Sequence, residues 1–228
     1  MLTMCGRFTC LYTWDDIRVL LGLEWTELND WPPNYNVAPS QRVPVVLNNS
    51  EGKPGLKAMT WGFPRISGKG PDLINARSET LRTRPTFRDA FNQRRCIVPV
   101  SGFYEWQQST SGRKQPWSIT PAESPILLLA GLWQHVQNTD RFVIVTAPAE
   151  GTMADIHQRT PVILRFDDAD RWLNADPKVA ASFLQISSPH KLQFTPVSTR
   201  VNAVANNDPS LLRPVEPDAD KQPGLFTP

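Results

Sequence analysis

Cys5, in Met4-Cys5-Gly6-Arg7-Phe8, is the residue with the most chemistry to offer. A cysteine directly after a methionine, this close to the chain start, becomes a first residue once that methionine is removed. An N-terminal cysteine carries a free α-amine and a thiol on adjacent carbons, and together they can capture an aldehyde. The amine condenses to a Schiff base, and the thiol then adds to the imine carbon to close a five-membered thiazolidine. Both groups suit neutral pH, since an α-amine titrates at about 7.7–8.0 and a thiol at about 8.5. Serine could form the imine but no comparably stable ring. The bland alternative is an incidental thiol beside a start site, and these few residues do not separate the two.

Three further side chains and one charged stretch could complete such a centre. Asn75, in Leu73-Ile74-Asn75-Ala76-Arg77, ends an apolar approach with an amide. It suits a residue that orients a substrate or supports an anion, although a turn asparagine has the same signature. Glu105 stands among aromatics in Gly102-Phe103-Tyr104-Glu105-Trp106. A carboxylate there either faces water or is buried with its pKa raised for proton transfer. His157, in Asp155-Ile156-His157-Gln158-Arg159, follows an expected strand through a short loop, a common location for catalytic groups and also for plain surface histidines. Residues 77–95 hold six arginines (Arg77, Arg82, Arg84, Arg88, Arg94 and Arg95) against two acids, Glu79 and Asp89. This local excess is either a solvated helix face or a phosphate-binding stripe with tryptophans available for base stacking.

The elements that must position these groups are short. The chain has 228 residues, 40% apolar and 20% charged, with a net charge of +2, which fits a globular domain and not a disordered chain. That charge does not by itself announce a nucleic-acid binder. The 22 prolines disfavour long helices and favour short strands joined by rigid loops. A helix is predicted from Thr13 as N-cap to about Leu21, with Asp16 completing a capping box and Ile17, Leu20 and Leu21 on one face. Strands are predicted at Arg42–Leu47, Leu56–Trp61, Cys96–Gln107, Trp117–Thr120, Ile126–Trp133, Phe142–Ala147 and Gln193–Val201, with a turn at Ser109–Lys114. Short helices are predicted at Ser78–Leu81, Thr86–Gln93, Asp167–Asn174 and Val179–Leu184. Strands that follow one another without regular crossover helices imply one α+β domain around an antiparallel, barrel-like sheet.

Cys5, Cys10 and Cys96 form no CxxC pair and no even disulfide set, and no metal site is expected. Cys10, alternating with Phe8, and Cys96, in an apolar run, read as buried small hydrophobes. The same alternation puts Cys5 on the opposite face, with Arg7 and Thr9. No apolar run approaches the length of a membrane span and no signal peptide is evident, so a cytoplasmic protein is expected. Residues 1–4 read as a removable leader or a mis-assigned start, 5–213 as the domain, and 214–228 as a proline-rich tail.

Taken in order, the motifs Cys5-Gly6-Arg7-Phe8, Tyr35-Asn36-Val37-Ala38-Pro39, Trp61-Gly62, Asn75-Ala76-Arg77 with Glu79-Thr80, Gly102-Phe103-Tyr104-Glu105-Trp106, Asp155-Ile156-His157 with Arg159 and Pro161, and Pro196-Val197-Ser198 with Val201-Asn202 resemble one family. It is the SOS-response-associated peptidase (SRAP) family, whose members crosslink to abasic sites in single-stranded DNA. The resemblance runs from Cys5 to about Leu212.

It implies that Cys5 captures the ring-opened sugar aldehyde as a thiazolidine. Asn75 would position the amine and sugar, Glu105 would shuttle protons, and His157 would act on the sugar ring. By the same resemblance Arg7, Arg77 and Arg159 would contact flanking phosphates, and Asn36, Pro39 and Trp61 would lie along the DNA channel. It further implies autopeptidase and possible lyase activity, no cofactor, no membrane, a monomer, and nucleoid association when bound to DNA. Family members begin Met-Cys, whereas Met1-Leu2-Thr3 precede Met4 here, so translation starts at Met4 or the protein removes the leader itself. Two other classes remain open on the residues alone: an N-terminal-nucleophile hydrolase acting on amides, and a noncovalent binder of single-stranded nucleic acid.

Overall fold

Pairing of five strands into a closed ring is what organises the chain. The structure, a computed structural model, describes residues 5–28, 31–65, 67–108, 112–185 and 191–216. The leader at 1–4, turn residues 109–111 and the tail beyond 216 lie outside the described residues. Along the chain run β1 (Arg7–Cys10), α1 (Trp14–Leu21), β2 (Trp25–Thr26), β3 (Asn34–Val37), β4 (Arg42–Asn48), β5 (Pro54–Trp61) and β6 (Asn75–Arg77). Next come α2 (Pro85–Gln93), β7 (Arg95–Val100), β8 (Gly102–Gln108), β9 (Lys114–Pro121), β10 (Leu127–Val136) and β11 (Thr139–Pro148). The remainder holds α3 (Thr152–Ile156), β12 (Arg159–Pro161), β13 (Ile163–Leu164), α4 (Ala169–Asn174), α5 (Pro177–Ala180) and β14 (Leu192–Pro196).

The ring is β4-β5-β11-β10-β7, closed by pairing of β7 back onto β4. Closure leaves this sheet no free edge between those strands and encloses a core of Val, Leu, Ile and Phe. Four of its five contacts are antiparallel, but β5 and β11 run parallel, with Arg141 opposite Thr60 and Phe142 opposite Trp61. The α+β, barrel-like expectation therefore holds, with one parallel seam where an all-antiparallel sheet is predicted. A second, wholly antiparallel sheet, β14-β9-β8-β1-β3, packs beside the barrel and carries Cys5 and Glu105.

Local chemistry explains most boundaries. Thr13 caps α1 in a capping box with Asp16, and Gly22 ends it in the left-handed region at φ 60°; only Ile17 of the expected apolar face is fully buried. The predicted strand Cys96–Gln107 is two strands in two sheets. Ser101 divides them: its N–H donates to Thr9 O and its hydroxyl accepts from Leu11 N–H, so the chain crosses there from barrel to outer sheet. Ser78–Leu81 is a turn, not a helix, because it closes back on Arg77 O. The last predicted strand ends at Pro196, and Ser198 then caps a 3-10 helix, Thr199–Asn202. No helix of the described residues is long and apolar enough to cross a membrane.

Candidate active site

The site is built where β1 leaves its sheet. The ladder pairs Arg7 with Tyr104 and Phe8 with Phe103, so the residues before β1 emerge beside Glu105 on β8. At Cys5 the backbone turns to φ 41°, a conformation uncommon for a residue with a Cβ. That turn ends the alternation at Arg7. Cys5 consequently packs with Phe8 and Cys10 in the main core, contrary to the expectation that it shares the face of Arg7. Its N–H donates to Glu105 Oε1 at 2.6 Å, with both residues buried. In the full chain this nitrogen is a peptide amide; after loss of Met4 it is the α-amine.

Burial raises Glu105 to about 8, only partly offset by the Cys5 and Trp106 N–H groups that favour its ionised form. Its carboxyl is therefore mostly protonated at neutral pH and poised to exchange a proton. Burial, and secondarily the Glu105 charge, push the Cys5 thiol well above its ordinary range, so the sulfur is held as a thiol. Cys10 and Cys96 are buried, free and inert by the same effect, as expected.

Asn75 opens β6, which runs parallel to β11 with Asn75 opposite Ile144. Trp61 holds that start in place by donating its indole N–H to Ile74 O at 3.0 Å. Trp61 is fully buried, stacked on Phe142 and tilted against Phe8. No face of it is open to a base, so its place is in the scaffold that joins the Cys5 strand to the Asn75 strand. This corrects the expectation of a channel-lining tryptophan. Pro39, half-buried, sits in the turn that wraps the end of β5.

His157 ends α3, a helix anchored to β8 by Gln107, whose amide donates to Asp155 O at 3.0 Å. Gln107 lies two residues from Glu105, so α3, with His157 at its end, is docked on the strand that carries the carboxylate. Nothing in the sequence singles it out beyond this alternation. The Arg159 N–H donates to His157 Nδ1 at 3.1 Å, leaving the proton of the neutral ring on Nε2. Partial burial, and then the Arg159 charge, lower the His157 pKa and favour this neutral form.

The arginines divide sharply. Arg7 donates to Asn36 Oδ1, Val201 O and Asn202 O, while the buried Asn36 amide donates to Val201 O, Ala203 O and Asn206 O. The pair clasps residues 201–206, a structural duty with no sign in the sequence. Arg95 is only 7% exposed and donates to the carbonyls of Phe91, Trp172 and Ala175, so it leaves the basic stripe altogether. Arg77, Arg82, Arg84 and Arg88 are exposed. Arg159 is held by Glu79 and Thr146. Among the described residues no group of three or more His, Cys, Asp or Glu side chains could hold a metal. A cavity of about 680 Å³ lined by Trp25, Leu47, Asn48 and Trp133, among others, contains none of these groups.

Barrel, flanking sheet and the buried cysteine–carboxylate pair together define an α+β protein organised around a near-terminal cysteine. The family described as SOS response associated peptidase (SRAP) matches residues 4–204, and the chain belongs to it. Abasic site processing protein YoqW of Bacillus subtilis is 35% identical over 223 residues, spanning 92% of this chain and 99% of the relative. Abasic site processing protein YedK of Escherichia coli is 30% identical, over 93% of this chain and all of the relative. A solved protein from Bacteroides thetaiotaomicron shares the fold at a TM-score of 0.79 and 20% identity, over 93% of this chain and 100% of that one.

Proposed function

We propose that the protein captures the ring-opened sugar aldehyde of an abasic site in single-stranded DNA through Cys5, once Met4 has been removed. The observation that carries this reading is the 2.6 Å contact between the Cys5 nitrogen and the buried Glu105 carboxyl, in a chain whose relatives are named for abasic-site processing. The order of steps follows from the pKa directions. The thiol is held neutral by burial, whereas the α-amine freed by loss of Met4 lies against the Glu105 carboxyl and can pass it a proton, so the amine attacks first. In the mature protein the ammonium facing Glu105 favours its ionised form, so the carboxylate takes the ammonium proton and returns it to the carbinolamine hydroxyl, which leaves as water. The thiol then adds to the imine carbon, and its proton passes through Glu105 to the amine nitrogen. No oxidant or metal is required.

His157, as an Nε2–H donor, polarises a ring oxygen during sugar opening, a task a neutral imidazole can perform. Asn75 orients the open sugar, and exposed Arg77 supplies phosphate contact. The imine stage also permits strand cleavage by β-elimination, and leader removal accounts for the peptidase in the family description. A thiol-first hydrolase is disfavoured, since its nucleophile would have to ionise where burial opposes it.

The test mixes protein that begins at Cys5, confirmed by intact mass, with abasic and intact oligonucleotides on a denaturing gel. A heat-stable shift with abasic DNA alone, lost in Cys5→Ser, is expected. Salt-sensitive complexes with both DNAs and no covalent shift would leave a noncovalent binder, and crosslinking by chains that all retain Met4 would remove the amine from the mechanism.

A further inference from the structure

Glu79 belongs to no step of that scheme, yet its carboxylate grips Arg159 with two hydrogen bonds, to Nη1 at 2.6 Å and Nη2 at 2.8 Å. The Arg159 side chain is only 16% exposed and also donates to Thr146 O at 2.7 Å, while Glu79 is 45% exposed. Through this fork the turn after β6 is tied to the first residue of β12. That same residue directs its backbone N–H at His157 Nδ1, which is the one hydrogen bond on the His157 ring among the described residues. Imidazole orientation and tautomer therefore depend on where the Arg159 peptide lies; the Ala149 N–H bond to Gln158 O holds one side of that peptide, and the Arg159 side chain braces the other.

We propose that Glu79 is the positioning residue of the His157 centre, acting through Arg159. It fixes the His157 ring with the proton on Nε2, facing the sugar. This rests on the role given to His157 above and deepens it. It also reassigns Arg159: a guanidinium committed to a carboxylate fork and to Thr146 is a strut before it is a phosphate contact. Glu79 is ionised throughout the working range, since Arg159 holds its carboxyl at about 2, so the strut does not loosen near neutral pH.

Two variants and two readouts test it. Glu79→Ala removes the fork at a half-exposed position and leaves no buried cavity; Glu79→Gln keeps the shape and one acceptor. With abasic single-stranded DNA at saturation, the first-order crosslinking rate should fall about ten- to a hundredfold in Glu79→Ala, with a partial return in Glu79→Gln. Noncovalent affinity for intact single-stranded DNA should change less than about threefold. Nitrogen-15 correlation spectra of the imidazoles should show the Nε2–H tautomer in the parent and tautomeric averaging in Glu79→Ala. An unchanged tautomer, or a loss confined to affinity with the saturated rate intact, would overturn the proposal. The spectra read the strut without DNA, so a parent protein that never crosslinks would sink the capture reading and leave this one decidable.

Discussion

At Glu105 two demands conflict, and the conflict is what makes it useful. A carboxyl placed among Phe103, Tyr104 and Trp106 loses its water, and the N–H groups of Cys5 and Trp106 only partly replace it. In the chain that retains Met4, Glu105 sits at about 8 against an ordinary value of 4.5. Between those values the native state holds a proton that the unfolded chain has lost, so stability falls as pH rises from about 4.5 to about 8. Glu105→Gln removes that loss. Its melting temperature should exceed the parent's by a margin that grows from pH 5 to pH 9; parallel curves would mean Glu105 titrates normally. In the mature protein the same variant should crosslink about 10²–10⁴-fold more slowly yet still reach the thiazolidine, because the nucleophile is intact. Cys5→Ala should do the reverse, keeping imine chemistry and strand cleavage while forming no stable ring. Time courses of adduct and cleavage on one gel separate the two.

Elements decide which arginines are available. Residues 77–95 read as one basic run, but α2 turns Arg95 inward at the start of β7, where its fork closes the carbonyls at the ends of α2 and α4. Arg95→Met should cost about 2–4 kcal/mol in urea denaturation, through carbonyls left unpaired in the interior, without changing the salt dependence of DNA binding. Gly131 shows the same principle in the barrel wall. A Cβ there would lie 2.8 Å from Cys96 Sγ and 3.2 Å from Val143 O, so a side chain on β10 at this point would force β7 or β11 to shift. Gly131→Ala should destabilise by about 1–3 kcal/mol. Because the closest clash is with a side chain, Gly131→Ala and Cys96→Ala should combine for less than their sum; strict additivity would place the strain in the backbone instead.

Over the whole molecule, the two ends of the domain are held together beside the site. Arg7 and Asn36 reach the carbonyls of Val201, Asn202, Ala203 and Asn206, closing the outer sheet over Tyr104 and Val201. Arg7→Ala should therefore speed hydrogen exchange at Val201, Ala203 and Asn206, whose N–H groups are bonded within this segment. Among the described residues the exposed Arg77 side chain has no such duties. Arg77→Ala should lower affinity for single-stranded DNA and reduce the salt slope by about one counterion, with exchange in 201–206 unchanged. If Arg7→Ala shifted the salt slope by that amount while exchange stayed the same, Arg7 would be a phosphate contact after all.

The sequence by itself determined the parts and most of the local order. Cysteine after methionine, a carboxylate among aromatics, a capping box at Thr13 and strands punctuated by proline are short-range facts, and each is legible because its physics is completed within a few residues. What the sequence could not decide was direction. Whether Arg77 faces solvent while Arg95 faces carbonyls, whether Trp61 presents a ring or hides it, and which carbonyls Asn36 clasps depend on partners more than a hundred residues away in some cases. The parallel seam between β5 and β11 is of the same kind, since nothing local to either strand encodes their relative sense. Only closure of the barrel and packing of the outer sheet against it brought Glu105 onto the Cys5 nitrogen, because burial and hydrogen-bond geometry are properties of the assembled chain.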